Sequence, residues 1–102
     1  MDLLADITRT IVDRFRPRRI VLFGSRATGR ADEESDVDLL VEMETGLRPA
    51  ERTVQVSSVF GLRRWPLDVV VVTPEEAARL RRVPTSFLAQ IEAEGRVLYE
   101  RP

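Results

Sequence analysis

Cysteine and histidine are both absent from this chain of 102 residues. Their absence excludes Ser-His-Asp and Cys-His catalytic arrangements and the usual zinc sites. No disulfide can form either, which fits a reducing compartment. Any acid–base or metal chemistry therefore has to come from Asp, Glu, Tyr or backbone groups.

Lysine is also missing, so all 16 basic residues are arginine and the lysine-containing P-loop of many nucleotide-binding proteins is excluded. With 17 acidic residues the net charge is −1, which gives no basic field for binding bulk nucleic acid. No apolar run approaches the roughly 20 residues of a membrane span, and the first residues lack the basic segment of a signal peptide. We expect a cytoplasmic protein that binds neither membranes nor bulk nucleic acid.

The composition is that of an ordinary folded domain, with 43% hydrophobic and 32% charged residues. A chain of this length buries roughly 65% of its unfolded surface, enough for one modest core. No linker or internal repeat divides the sequence. We therefore expect a single domain over residues 1–102.

Hydrophobic periodicity predicts the order α-β-loop-β-α-β-α-α-β. Gly61 and Gly95 are interpreted as the C-terminal stops of two helices, and Thr73 as the N-cap of another. The predicted strands are residues 19–23, 36–43, 67–72 and 96–100, and the predicted helices are residues 2–15, 49–60, the segment after Thr73, and 85–94. This order predicts an α+β (α/β) fold in which helices pack on a mixed sheet of about four strands.

Polar residues cluster where three predicted strands begin or end. Gly24 and Ser25 follow the first strand, Asp36 and Asp38 open the second, and Asp68 lies early in the third. Each feature alone is more typical of a plain turn or a solvated strand end. Residues i and i+2 of a strand point to the same side, roughly 7 Å apart, so Asp36 and Asp38 can converge.

Three converging carboxylates repel one another unless a cation neutralises them. Oxygen ligands without histidine or cysteine favour Mg²⁺ or Mn²⁺ over zinc. Two such ions suit an in-line phosphoryl or nucleotidyl displacement. The three acids therefore predict a divalent-metal site.

The residues after the first strand are candidates for phosphate binding. Gly24 lets the backbone approach an oxyanion, and Ser25 offers a hydroxyl and an amide N–H. A helical turn over residues 25–29 would add its N-terminus. Arg26 offers a charge-assisted contact, and Arg30 is a further candidate.

The segment GSRATGRADEESDVDLLVEM (residues 24–43) closely resembles the signature of the polymerase-beta-like nucleotidyltransferases, in which Gly-Ser is followed after ten residues by Asp-x-Asp. The third acid, in PLDVVVV, also falls where that family has it. The resemblance implies the polymerase-beta-like nucleotidyltransferase fold and covers residues 1–73 well. It implies that Gly24 and Ser25 hold the β- and γ-phosphates and that Asp36 and Asp38 are shared ligands of two Mg²⁺ ions. Asp68 would ligate the catalytic metal and help to deprotonate a hydroxyl that attacks the α-phosphorus, releasing pyrophosphate.

The chain has only about 34 residues after the third acid, and in size it resembles the minimal nucleotidyltransferases of prokaryotes. Members of that group resemble antitoxins that transfer AMP from ATP to a tyrosine of a HEPN-domain RNase toxin. The resemblance therefore implies ATP as substrate and such a toxin as partner. Two alternatives stay open: an antitoxin that neutralises its partner by binding alone, and an enzyme that modifies a small molecule or an RNA end.

The segment before the third predicted strand leaves its role open. Trp65 is the only tryptophan of the chain and either anchors an interface or packs on the rim of the sheet. Arg63 and Arg64 either contact a nucleotide or a partner or belong to a solvated loop.

Overall fold

A computed structural model describes residues 2–29, 36–63 and 65–102. In these residues the chain forms four helices and four strands, in the order predicted from the sequence. Their bounds are α1 Leu3–Phe15, β1 Arg19–Phe23, β2 Val37–Glu42, α2 Pro49–Ser58, β3 Leu67–Val72, α3 Pro74–Arg81, α4 Phe87–Glu94 and β4 Arg96–Glu100. None of these helices combines the length and the apolar character that crossing a membrane requires.

Hydroxyl side chains fix the starts of the last two helices. The hydroxyl of Thr73 accepts a hydrogen bond of 3.1 Å from the amide of Glu76, whose carboxylate in turn accepts one of 3.0 Å from the amide of Thr73. Ser86 caps α4 in the same way, with a 3.1 Å bond from an amide of the first turn. These caps satisfy donors that a helix leaves unpaired. They confirm the predicted start after Thr73 and set the start of α4 at Phe87, two residues after the predicted boundary.

The four strands form one mixed sheet in the order β3-β2-β1-β4. Strand β1 pairs antiparallel with both β2 and β4, whereas β2 and β3 run parallel. The mixed sheet with packed helices confirms the fold class expected from the sequence. This arrangement places the C-terminal end of β1 beside the N-terminal ends of β2 and β3.

Apolar side chains cover both faces of the sheet. One core joins α1 and α2 to the first face and contains the buried residues Ile7, Ile11, Ile20, Leu22, Val37, Leu39, Val41, Met43, Val56, Val69 and Val71. The other joins α3 and α4 to the opposite face and contains Val21, Leu40, Val72, Ala77, Leu88 and Ile91. Because β2 contributes to both cores, it lies in the interior of the molecule and carries its polar residues near its ends.

The two glycines expected to stop helices behave differently. Helix α2 ends at Ser58, and Gly61 follows with a left-handed φ of +56°. Gly95 is the C-cap of α4, as expected, but its φ of −81° is ordinary, so the helix stops there without a left-handed residue. A Cβ at Gly95 would lie 2.5 Å from the carbonyl oxygen of Ile91 and 2.9 Å from that of Leu22. Glycine is therefore needed at position 95 because there is no space for a side chain.

Ion pairs connect the helices to the sheet at the end away from the predicted site. Glu42, the last residue of β2, is 3% exposed and accepts a hydrogen bond of 2.8 Å from Arg81 of α3. Arg81 also donates to Glu92 of α4, at 2.9 Å, and Arg19 of β1 pairs with the same carboxylate. The charges at this end of the sheet are thus compensated within the chain.

Candidate active site

Strand pairing brings the predicted acidic residues together. In the antiparallel pairing of β1 with β2, Phe23 lies opposite Asp38. In the parallel pairing of β2 with β3, Asp38 lies opposite Asp68. Neighbouring strands are about 4.8 Å apart. Gly24, Asp38 and Asp68 therefore lie side by side at one end of three adjacent strands.

The alternation of the strands directs the two paired acids away from the first core. Val37 and Leu39 on either side of Asp38 are buried in the core that includes α1 and α2. Val69 beside Asp68 is buried in the same core. Asp38 and Asp68 consequently lie on the opposite face of the sheet, as the sequence alternation predicts.

Gly24 is in close contact with the carboxylate of Asp38. Its φ of +74° is in the left-handed region that L side chains rarely adopt. A Cβ at this position would lie 2.2 Å from Oδ2 of Asp38 and 3.1 Å from its Cγ. Only glycine fits both the backbone conformation and the position of the carboxylate.

The segment after Gly24 folds into successive turns. The amide of Ala27 donates to the carbonyl oxygen of Gly24 at 3.1 Å, and the hydroxyl of Thr28 donates to that of Ser25 at 3.2 Å. Residues 25–29 form hydrogen-bonded turns that do not continue into a helix within the described residues. Ser25 and Arg26 are partly exposed in these turns. Arg30 lies outside the described residues.

Burial and like charges act together on Asp38. Burial raises the pKa of its carboxyl above the usual value, and the negative charges of Asp68 and Asp36 raise it further. Within residues 2–29, 36–63 and 65–102, no arginine forms an ion pair with any of the three acids. Asp36 and Asp68 are exposed, so a ligand from solution can reach them.

The negative charges of Asp36 and Asp68 raise the pKa of Asp38, but the three acids do not form a complete set of metal ligands. In the described part of the chain, no group of three or more acidic side chains is arranged to hold a metal ion as it stands. This finding and the electrostatic effect on Asp38 are compatible, because carboxylates that raise one another's pKa also repel one another.

An aromatic and apolar loop adjoins the acids. We call the segment between α2 and β3, residues 59–66, the α2–β3 loop; Arg64 lies outside the described residues. The rings of Phe60 and Trp65 meet edge to face with centroids 5.8 Å apart, and the guanidinium of Arg63 lies 5.8 Å from the centre of the Trp65 ring. Both rings are partly buried against the core of α1 and α2, so Trp65 does pack on the rim of the sheet. Leu62 is fully exposed.

Sequence reasoning overlooked two features of this region. It named Trp65 and Arg63 but gave no role to Phe60 or Leu62, because an apolar residue next to a glycine is usually part of a helix end. It also did not predict the burial of Arg52, which is 6% exposed and pairs with Glu76 at 2.7 Å. Both residues of that pair lie in predicted helices, but the sequence alone does not show that these two helices are in contact.

Comparison with known proteins identifies the class. Residues 4–98 match the model of the nucleotidyltransferase domain family. The match covers nearly the whole chain, and it agrees with the Gly-Ser and Asp-x-Asp geometry at the strand ends. This chain belongs to the nucleotidyltransferase domain family.

Two proteins of Methanocaldococcus jannaschii, each named "Putative protein adenylyltransferase", are similar to this chain in sequence. One is 32% identical over 93 residues, which cover 88% of this chain and 85% of the relative. The other is 31% identical over 86 residues, which cover 84% of this chain and 82% of the relative.

Two solved structures are similar in fold. One is described as a putative nucleotidyltransferase from Sulfolobus solfataricus; it aligns with a TM-score of 0.63 at 20% identity over 96% of this chain and 78% of its own. The other is described as a toxin-antitoxin with AMP-PNP; it aligns with a TM-score of 0.64 at 21% identity over 98% of this chain and 75% of its own. At these identities the likeness shows the shared fold.

Proposed function

We propose that this chain is a Mg²⁺-dependent nucleotidyltransferase that transfers AMP from ATP to a tyrosine hydroxyl of a cognate HEPN-domain RNase toxin, and so acts as its antitoxin. The observation that carries the proposal is the close contact of Gly24 with Asp38, opposite Asp68 on the next strand. The names of the two relatives support transfer to a protein. The description of one structural neighbour as a toxin-antitoxin with AMP-PNP supports the pairing with a toxin.

The acidic residues fit a divalent cation by their chemistry. Their ligand atoms are carboxylate oxygens, with neither histidine nor cysteine in the chain, which suits Mg²⁺ or Mn²⁺. Asp36 and Asp38 would be shared by two ions, and Asp68 would hold one of them. Two bound ions would neutralise the carboxylates and the triphosphate and would favour the ionised form of the attacking hydroxyl.

The remaining roles follow from position. Gly24 and Ser25 would hold the β- and γ-phosphates at the end of β1, with Arg26 adding a charge-assisted contact. The tyrosine oxygen forms a bond to the α-phosphorus, and the bond from that phosphorus to the bridging oxygen breaks. Pyrophosphate leaves with the electrons of the broken bond, and the hydroxyl proton passes to a carboxylate, for which Asp68 is the candidate.

The proposal is tested by incubating the pure chain with Mg²⁺, ATP labelled at the α-phosphate and the protein encoded by the adjacent gene. We expect label on a tyrosine of that protein and loss of the protein's RNase activity. Asp36→Ala is expected to abolish labelling, whereas Asp13→Ala, at an exposed acid of α1, should leave it unchanged.

Other results would contradict the proposal in distinct ways. A stable complex without label would indicate that the chain neutralises its partner by binding alone. Label on a small molecule or an RNA end, with none on protein, would indicate a different acceptor. Normal labelling by a folded Asp36→Ala chain would contradict the role proposed for the acids in transfer.

A further inference from the structure

The α2–β3 loop presents side chains typical of the energetic centres of protein interfaces. Such centres are enriched in tryptophan and arginine, and interface cores in aromatic residues generally. The loop supplies Phe60, Arg63 and Trp65 together with Leu62 within six residues. A shallow cleft of about 490 Å³ is lined by these four residues.

Leu62 is held in solvent by the local backbone. The amide of Gly61 donates to the carbonyl oxygen of Ser58 at 3.3 Å, and its φ of +56° turns the chain away from α2. Leu62 follows and is fully exposed, while Phe60 and Trp65 on either side pack against the core. The loop thus exposes the apolar side chain of Leu62 between two aromatic residues that pack against the core.

The end of the loop lies beside the acids, on the side of β2 away from Gly24 and Ser25. The amide of Val37, between Asp36 and Asp38, donates to the carbonyl oxygen of Pro66 at 2.9 Å, which fixes the end of the loop to the site. In the sheet order β3-β2-β1-β4, the phosphate-binding residues follow β1 on one side of β2. In an in-line displacement the acceptor hydroxyl attacks opposite the leaving pyrophosphate, which for the proposed reaction is the side of β3 and the loop.

We propose that the α2–β3 loop docks the protein that carries the acceptor hydroxyl, with Leu62 as its apolar anchor and Arg63 meeting an acidic side chain of that protein. This inference rests on the function proposed above and names the surface that selects the acceptor. The matching surface of the acceptor is an apolar recess flanked by an acidic residue, close to the modified tyrosine.

A protein fits this surface better than a nucleobase does. The guanidinium of Arg63 already covers the ring of Trp65 at 5.8 Å, and Phe60 meets the same ring edge to face. Leu62 offers no flat surface for stacking. Arg63 is the charged residue among the described residues of the loop, and a carboxylate on the docking protein complements it.

The test compares kinetics of transfer to the protein encoded by the adjacent gene. Leu62→Asp and Arg63→Glu are each expected to raise KM for that protein at least tenfold, while kcat at saturating acceptor and KM for ATP stay unchanged. In the inactive Asp36→Ala background, calorimetry should show the same fold loss of affinity for the protein. Val54→Asp is the matched control, because Val54 is an exposed apolar residue of α2 and should have no effect.

The outcomes separate this proposal from the function on which it rests. If the protein is labelled but Leu62→Asp and Arg63→Glu leave its KM unchanged, the docking role is overturned and the transferase function stands. If these variants raise KM for ATP, and ATP quenches the fluorescence of Trp65 excited at 295 nm, the loop binds the base and the docking role is again overturned. If the wild-type chain neither labels nor binds the protein, both proposals fall.

Discussion

Replacing Gly24 with alanine tests whether its contact with Asp38 serves function as well as folding. The backbone at Gly24 has a φ of +74°, and a residue with a Cβ pays about 1–2 kcal/mol in the left-handed region. Each kcal/mol lowers the Tm of a domain of this size by about 4–8 °C. Gly61→Ala carries a similar backbone cost at a φ of +56°, but its Cβ would meet no atom within 4 Å.

The two variants should differ in activity because only one displaces a carboxylate. The Cβ of Gly24→Ala would lie 2.2 Å from Oδ2 of Asp38, and real Cβ contacts essentially never fall below 3.0 Å, so that oxygen has to retreat by about 0.8 Å. Misplacing a catalytic group by about 1 Å can cost about 100-fold in rate. The carboxylate can rotate away, so the clash itself should add little to the loss of stability. We therefore expect similar losses of Tm in both variants but a rate about 100-fold lower only in Gly24→Ala.

Thermal unfolding and labelling with α-labelled ATP measure the two effects on the same preparations. Labelling is compared at a temperature where both variants are folded, with saturating acceptor. A second control is Gly29→Ala in the turns that follow β1, where φ is also positive, at +76°, and where a Cβ would again meet no atom within 4 Å. Equal rates for Gly24→Ala and Gly61→Ala would refute the reasoning, because the displaced carboxylate would then have no role in transfer.

Three further changes probe other parts of the molecule. Ser25→Ala should raise KM for ATP at least tenfold in steady-state labelling, because a hydrogen bond to a charged phosphate contributes about 1.5–3 kcal/mol; an unchanged KM would remove Ser25 from phosphate binding. Gly95→Ala should lower the free energy of unfolding in urea by about 1–3 kcal/mol, since its Cβ would lie 2.5 and 2.9 Å from two carbonyl oxygens; an unchanged midpoint would show that α4 shifts freely. The hydrogen bond from Arg52 holds the pKa of Glu76 below its usual value of 4.5. The ionised Glu76 therefore stabilises the folded state fully above pH 4.5, and this stabilisation is lost as the pH falls through the lowered pKa. The Tm of Glu76→Gln should accordingly be lower than that of the wild type at pH 7, and the two should converge as the pH falls through the lowered pKa of Glu76; a difference that stays constant with pH would contradict this assignment.

The strands could be predicted because their β-branched and apolar content marks their bounds and their alternation marks which residues face the core. Residues 19–23, 67–72 and 96–100 have the bounds in the structure that their β-branched and apolar content predicts. In β2, the alternation that buries Val37 and Leu39 in one core also places Asp38 on the opposite face of the sheet. This placement follows from the alternation of side chains along a strand alone. The face of the sheet on which the candidate residue Asp38 lies could therefore be predicted before the pairing of strands was known.

What the sequence could not show depends on contacts between elements distant in the chain. Gly95 has the position of a helix stop, but its need for glycine comes from the carbonyl oxygen of Leu22, on a strand over 70 residues earlier. Arg52 has the sequence context of an exposed helical arginine, yet it is buried because α2 places it against Glu76 and the carbonyl oxygen of Val71. A local pattern does not specify which helices meet over the sheet.

The two ends of β2 give the strongest argument that the acids serve a ligand. Glu42 is almost fully buried at one end and is compensated by arginines from two other elements. Asp38 lies four residues away on the same face, and the charges nearest to it are those of other carboxylates. The same chain has arginine available in quantity and uses it at one end of the strand, whereas in the residues that the structure describes it places none against the acids at the other. Partly buried carboxylates without a partner cost stability, so this imbalance among the described residues supports the proposal that the acids bind a cation.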